Sequence, residues 1–286
     1  MTVKAENVDR EEIRRFLAED VGPGDVTARI IPESVRAEAT VINREPMVLC
    51  GRDWFEAVFY ELAPSCLVEW RVGEGDEVGA DSELCRVMGP ARALLSGERT
   101  AINLLQTLSG TATRARRFAE AVAGTGTVVL DTRKTIPGLR RLQKYAVKVG
   151  GCENHRFGLY DGILLKENHI LASGSLTQAM RQARTFAEAL PVEVEVESLA
   201  ELEEALTVGA DIILLDNFSL EEMRTAVELA SGRALLEASG NIDLTNVRRV
   251  AETGVDRISV GAITKHLQTI DLSMRISLKE RGEHKT

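Results

Sequence analysis

Four landmarks in the second half of the chain, Glu195, Asp216, Glu237 and Ile258, stand 21 residues apart. They sit in short apolar runs: VEVEV (192–196), IILLD (212–216), ALLEAS (234–239) and RISVG (257–261). Runs this short, bounded by turn residues, read as buried strands rather than helices. The stretches between them carry helix start and stop signals. Ser175…Gln178, Ser198…Glu201 and Ser219…Glu222 have the spacing of capping boxes, in which a hydroxyl and a carboxylate or amide satisfy orphan backbone donors reciprocally. Gly209, Gly232 and Gly254 fall where those helices should end. Strand and helix alternating at this pitch mean βα units and a parallel sheet.

VVLD (128–131) and GILLK (162–166) bring the strands to six, or seven with one cryptic strand. A closed (β/α)₈ barrel needs more, so an open, incomplete α/β barrel is expected. Most of these strands end in a polar residue: Asp131, Lys166, Glu195 or Glu197, Asp216, and Glu237 or Ser239, with the last ending at Gly261. In parallel α/β architectures the C-terminal strand ends form the site, so this ring of acids and a lysine is a candidate site.

The first third differs. Residues 5–20 carry a helical stripe (Ile13, Phe16, Leu17), 35–50 read as two strands around Glu45-Pro46, and 52–63 read as a helix. Residues 67–90 are short strands punctuated by glycine, as in a biotin- or lipoate-carrier barrel. No lysine occurs from 51 to 130, however, so there is nothing for such a carrier to acylate. Residues 94–123 form a helix linking the halves. The expected organisation is an N-terminal α/β sandwich-like domain (1–105, joined by 265–286) plus a C-terminal open α/β barrel (106–264) carrying the active site.

A net charge of −9 argues against a general nucleic-acid binder, which needs a basic face. The N-terminus is charged and lacks the apolar segment of a signal peptide, and no run is long enough for a membrane span. The scattered Cys50, Cys66, Cys85 and Cys152 contain no C-x-x-C pair and read as reduced thiols. A cytoplasmic protein is expected.

Against this acidic background, the segment between Thr132 and Cys152 holds six cations (Arg133, Lys134, Arg140, Arg141, Lys144, Lys148) and no acid. Arg140, Arg141 and Lys148 read best as a solvated helix face. Arg133 and Lys134 follow a strand end in a loop bounded by Pro137 and Gly138, where binding groups concentrate.

The ordered segments ERTAIN, DTRKTIPGLR, KYAVKVGGCENHRFGL, KENHI, VEVEVES, LLDNF, EASGNI and ISVGAIT resemble the quinolinate phosphoribosyltransferase family across almost the whole chain. DTRKT-x-PGLR with GG-x-x-NHR is the specific part. Two departures are Ile136, where the family often has threonine, and Asn241, where many members have a second glycine. The resemblance implies a homodimer whose active site borrows an arginine from the partner. It also implies transfer of a phosphoribosyl group from 5-phosphoribosyl 1-diphosphate to quinolinate. Decarboxylation follows, giving nicotinate mononucleotide, pyrophosphate and carbon dioxide in de novo NAD synthesis, with Mg2+ required.

Quinolinate is a dianion and its co-substrate carries several more negative charges, so the pocket must be basic. Arg99, Arg133 and Arg156 are candidates for the two carboxylates, because a guanidinium fork matches a carboxylate bidentately. The resemblance adds His155 and Lys166 as carboxylate contacts, with Lys134 and Lys166 also able to bind phosphate. Asn168 and His169 are placed on the phosphate side. Glu195 and Asp216 would face the ribose and its magnesium. Glu193 and Glu197 share the strand parity of Glu195, and family position alone selects Glu195. Thr132, Asn217, Ser239, Gly240, Asn241, Val260, Gly261 and Ala262 complete the expected substrate contacts, the glycine turns supplying backbone N–H groups to phosphate. Lys134, Lys166, Glu195 and Asp216 form the expected catalytic set. Two alternatives remain from another direction: an aldolase-like barrel with Lys166 as a Schiff-base lysine, which leaves the three arginines unexplained, and a relative acting on nicotinate or associated with molybdate transport.

Overall fold

A computed structural model describes residues 8–187 and 189–278. The segments 1–7 and 279–286, which include parts of the expected first helix and of the expected C-terminal return, lie outside the described residues. Two compact units emerge: residues 1–113 with 267–286, and residues 114–266.

The chain runs α1 (Arg10–Val21), β1 (Arg36–Asn43), β2 (Met47–Val48), α2 (Arg52–Leu62), β3 (Leu67–Trp70), β4 (Glu77–Val78), β5 (Glu83–Pro90) and α3 (Ala91–Ala121). It continues with β6 (Val128–Leu130), α4 (Arg140–Val149), β7 (Ile163–Leu165), α5 (Glu167–Ser173), α6 (Leu176–Phe186), β8 (Val192–Val196), α7 (Leu199–Thr207) and β9 (Ile212–Asp216). α8 (Leu220–Ala230), β10 (Leu235–Ser239), α9 (Val247–Ala251), β11 (Arg257–Ser259), α10 (Ala262–Lys265) and β12 (Leu272–Leu278) complete it. The first helix starts at Arg10, inside the expected 5–20 span, and carries the expected Ile13, Phe16 and Leu17 stripe. Asp9 caps it by accepting the Glu11 N–H, and a cap fixes a helix start more firmly than periodicity does.

In the first unit, an antiparallel sheet in the order β12-β1-β5-β3 alternates buried and less buried residues along β1, as one better-covered face requires. β2 pairs β4 separately. Phe55 packs edge-on to Phe59 and to Trp70, with ring centres 5.1 and 5.4 Å apart.

In the second unit, six parallel strands are ordered β6-β11-β10-β9-β8-β7 and do not close into a barrel. The cryptic seventh strand is one parallel bridge, Leu130 to Glu153, beyond β6. Parity sorts the two faces. Val192, Val194, Val196, Ile213, Leu215, Leu236, Ala238, Ile258 and Val260 share one core with helix residues such as Leu202, Met223, Ala226 and Val250. The alternate residues Glu193, Glu195, Asp216, Glu237 and Ser239 therefore face the other side, into the curl of the sheet. Of the three expected capping boxes, only Ser219–Glu222 is reciprocal. Ser175 and Ser198 cap one way; the Glu201 carboxylate takes the Glu197 N–H instead. Gly209, Gly232 and Gly254 all have positive φ just past helix ends, as their placement implied.

Among the described residues no helix is long and apolar enough to cross a membrane. The four cysteines are free, three of them buried.

Candidate active site

Most candidate residues of the second unit stand at the C-terminal ends of its parallel strands, in three groups; His155 and Arg156 lie apart from them, beside the strand starts at Ile163 and Ile212. The first lies where β6 and β11 end. Val260 N–H bonds the Leu130 carbonyl, so the Gly261 turn follows beside the Thr132–Lys134 loop. Lys134 N–H donates to Thr132 Oγ1 at 3.1 Å, and Thr264 Oγ1 donates to the Lys134 carbonyl at 2.9 Å. A Cβ on Gly261 would stand 2.9 Å from Lys134 Cδ, so glycine here makes room for the lysine stem.

The second group is Lys166 with Glu195, ion-paired across β7 and β8. Depth separates the three same-parity acids that the sequence could not. Glu193 is buried, Glu195 is half-buried against Lys166, and Glu197 is exposed. His169 Nδ1 accepts the Lys166 N–H at 3.0 Å, so this histidine caps α5. Asn168 beside it is exposed.

The third group joins β9 and β10, where Asp216 pairs with Ser239. Asn217 N–H donates to the Ser239 carbonyl, its Nδ2 donates to Asp216 at 2.9 Å, and its Oδ1 accepts from Asn241 Nδ2 at 3.3 Å. Asn217 and Asn241 sit at φ 58° and 49°. This left-handed backbone explains why Asn241 can stand where a glycine is common in the resembled family, since asparagine tolerates that region better than other side chains. Gly240 has φ 99°, and a Cβ there would fall 2.2 Å from Asn217 Oδ1.

Beneath these ends lies a polar layer that sequence reasoning mostly missed. Asp131 and Lys144 form an ion pair with both side chains at 0% exposure. Asp131 also accepts from Asn154 Nδ2 at 2.6 Å and from the His155 N–H at 3.0 Å. Lys144 also donates to the His155 carbonyl at 2.6 Å and lies 4.9 Å from the Phe157 ring centre. Burial pushes the Asp131 carboxyl up and the Lys144 ammonium down from their ordinary values, against the pull of the pair itself. Asp131 is thus a buried anchor, not a strand-end acid open to substrate. The solvated reading of Arg140 is also corrected: it donates to Thr135 Oγ1, the Phe157 carbonyl and the Arg133 carbonyl at 3.0, 2.9 and 3.2 Å. A residue i+7 from Arg133 returns to that loop only because α4 folds back beside it. Lys148 does face solvent, in a half-exposed pair with Glu153 at 2.5 Å.

His155 faces two acids. Its Nε2 stands 3.0 Å from Glu193 and 3.5 Å from Glu237. The ligand atoms of these three residues lie within 4.8 Å of one another, close enough to share one metal ion. Burial, then repulsion from Glu193, pushes the Glu237 carboxyl up to about 7, while His155, Ser259 and Arg257 pull it back. Burial alone would lower the His155 imidazole, but the two acids outweigh it and raise it. Arg156 donates to the Gly162 carbonyl at 2.9 Å. Burial, then Arg133, lowers it, so the two guanidiniums stand near enough to repel. Arg133 Nε is buried with no hydrogen-bond partner. Arg99 lies in the other unit, exposed on α3.

The quinolinate phosphoribosyl transferase N-terminal and C-terminal domain models match residues 25–109 and 111–275. A protein of Mycobacterium leprae named nicotinate-nucleotide pyrophosphorylase [carboxylating] is 42% identical over 272 residues, covering 93% of this chain and 96% of its own. A Synechocystis protein named as a probable enzyme of that kind is 41% identical over 268 residues, 92% of this chain and 91% of its own. The solved nicotinate-nucleotide pyrophosphorylase of Francisella tularensis superposes with a TM-score of 0.91 at 42% identity, covering 97% of this chain and 100% of that one.

Proposed function

The chain belongs to the quinolinate phosphoribosyltransferase family, and from that premise we propose how its strand ends carry out the reaction. It is a pentosyltransferase of NAD biosynthesis, making nicotinate mononucleotide from quinolinate and 5-phosphoribosyl 1-diphosphate with loss of pyrophosphate and carbon dioxide. Arg133, Arg156 and His155 receive the diacid, with Arg99 of the partner subunit in a homodimer closing over it. The observation that carries this assignment is the pair Arg133 and Arg156. Two nearby guanidiniums, one with a buried Nε left unpartnered, are unfavourable until a dicarboxylate neutralises both.

Lys134 and Lys166 meet the phosphates as compact charges. Thr132, Asn217, Ser239, Gly240, Asn241, Val260, Gly261 and Ala262 line the phosphoribosyl side, where left-handed and glycine backbone lets N–H groups approach closely. Glu195 and Asp216 are the oxygen donors for Mg2+. Each already has one partner, Lys166 and Asn217 respectively, so they do not form a closed cage. That suits an ion held by one or two carboxylates and substrate phosphates. Bound there, Mg2+ would supply charge stabilisation to the departing pyrophosphate.

As pyrophosphate leaves, the pyridine nitrogen bonds to the ribose carbon. Glu195 and Asp216 favour the positive charge developing on the sugar. The N-ribosyl pyridinium then loses the carboxyl next to nitrogen as carbon dioxide, because the electron pair left behind sits beside N⁺, and that carbon takes up a proton. The cations around the other carboxylate keep the ring in place. Lys166 is paired with Glu195, and an aldolase-like reading leaves Arg133 and Arg156 unexplained, so it is set aside. Free, mostly buried thiols suit a reducing cytoplasm.

Incubation with quinolinate, the phosphoribosyl donor and Mg2+ should yield nicotinate mononucleotide and carbon dioxide. Equal use of nicotinate in a parallel reaction would refute the diacid assignment.

A further inference from the structure

Every polar group of His155 is held. Its N–H donates to Asp131 at 3.0 Å and its carbonyl accepts from Lys144 at 2.6 Å. Its Nδ1 accepts the Arg156 N–H at 2.8 Å, and its Nε2 points at Glu193 and Glu237. Because Nδ1 receives a proton donor, the ring proton belongs on Nε2, which then donates to Glu193; the tautomer follows from the network. The two acids lie on the inward face of β8 and β10. Glu193 is 4% exposed and Glu237 0%. Ser259 and Arg257 also act on Glu237, but Glu193 Oε1 and both Glu237 oxygens are buried without a hydrogen bond that meets normal geometry. Such acids are costly to bury. A cavity of about 280 Å³ beside them is lined by Asn154, His155, Arg156, Glu193, Ile212 and Arg257.

We propose that Glu193 and Glu237 are positioning residues for the diacid: they hold His155 by its Nε2–H, and through the Nδ1 contact they keep Arg156 beside Arg133 before any substrate arrives. This rests on the diacid reading above. Its physical logic is charge balance. Arg133 and Arg156 repel, and Glu193 is the acid that most offsets this at Arg156. The arriving dicarboxylate takes over that role, so the loop needs no rearrangement to accept it. A metal ion on the same three side chains would need the Nε2 lone pair, and the Arg156 contact puts the proton there instead.

Two measurements on the full-length protein test this. In ¹⁵N-imidazole spectra, with the His155 signal identified from a His155→Gln sample, Nε2 should carry a proton. An unprotonated Nε2, or a divalent ion bound one per chain whose chelation shifts the His155 signal, overturns the proposal. In steady-state kinetics Glu193→Leu should raise KM for quinolinate about tenfold or more while changing KM for the phosphoribosyl donor less than about twofold, and Glu193→Gln, which keeps an acceptor, should recover most of the loss. Equal rises in both constants, or a glutamine variant no better than the leucine one, also overturn it. The spectrum needs no turnover and no variant of Glu193. A wild-type chain inactive on quinolinate would therefore refute the functional reading while leaving the His155 arrangement to be decided separately.

Discussion

Lys144→Met tests the buried scaffold under the candidate site. Lys144 and Asp131 have side-chain exposures of 0% each, so solvent cannot take over when the ammonium is removed. Methionine fills the volume of the stem but donates nothing to Asp131 or to the His155 carbonyl. Breaking a buried pair from one side costs about 3–5 kcal/mol, because the surviving charge is stranded. Asp131 keeps the Asn154 and His155 donors, which places the expected loss near the lower end, about 3 kcal/mol. Part of that loss is avoidable by protonation. Burial already lifts the Asp131 carboxyl above its ordinary value, and removing Lys144 lifts it further. A raised acid contributes stability at low pH that is lost as pH climbs through its folded value, so the variant should suffer more at neutral than at acid pH. Urea unfolding followed by circular dichroism, at matched ionic strength, reads the difference. Asp131→Asn on top of Lys144→Met removes both charges and should be less destabilising than the sum of the single changes by about 2 kcal/mol. A single-variant loss below about 1 kcal/mol, or a double variant equal to the sum within about 0.5 kcal/mol, would refute the stranded-charge argument.

Glu237→Gln should gain stability relative to the unaltered chain as pH rises from the ordinary value of 4.5 toward about 7, the window over which the buried carboxyl is forced to ionise; the full difference is roughly 3 kcal/mol, and a pH-independent gap in unfolding midpoint would contradict it. Arg133→Ala should lower kcat/KM for quinolinate by a factor of about a hundred or more, two lost charge-assisted bonds' worth, and an unchanged value would remove Arg133 from the diacid site. If Arg99 acts across a dimer, mixing inactive Arg99→Ala and Lys134→Ala chains should restore some activity; none after verified subunit exchange argues against a shared site. Gly240→Ala, forced to φ 99° with its Cβ on Asn217, should cost more than about 1 kcal/mol and weaken phosphoribosyl-donor binding, readable by calorimetry.

The sequence by itself determined the βα rhythm, the incomplete curl and the family, because strand length, helix caps and glycine stops are local features. Asp216, Lys166 and the Gly261 turn stood out for the same reason, their place at strand ends, whereas Glu195 was singled out from Glu193 and Glu197 by the family resemblance alone. What stayed hidden needed distances between segments far apart in the chain. Strand parity treated Glu193, Glu195 and Glu197 alike, and only packing showed one buried against His155, one paired with Lys166 and one in water. The sequence set Arg140 on a solvated face and assigned Lys144 no role, until α4 folded back, sinking Lys144 onto Asp131 and turning Arg140 toward the Arg133 carbonyl. A charge's meaning depends on how deep it lies and what faces it, and those are properties of the folded tertiary structure rather than of the residue order.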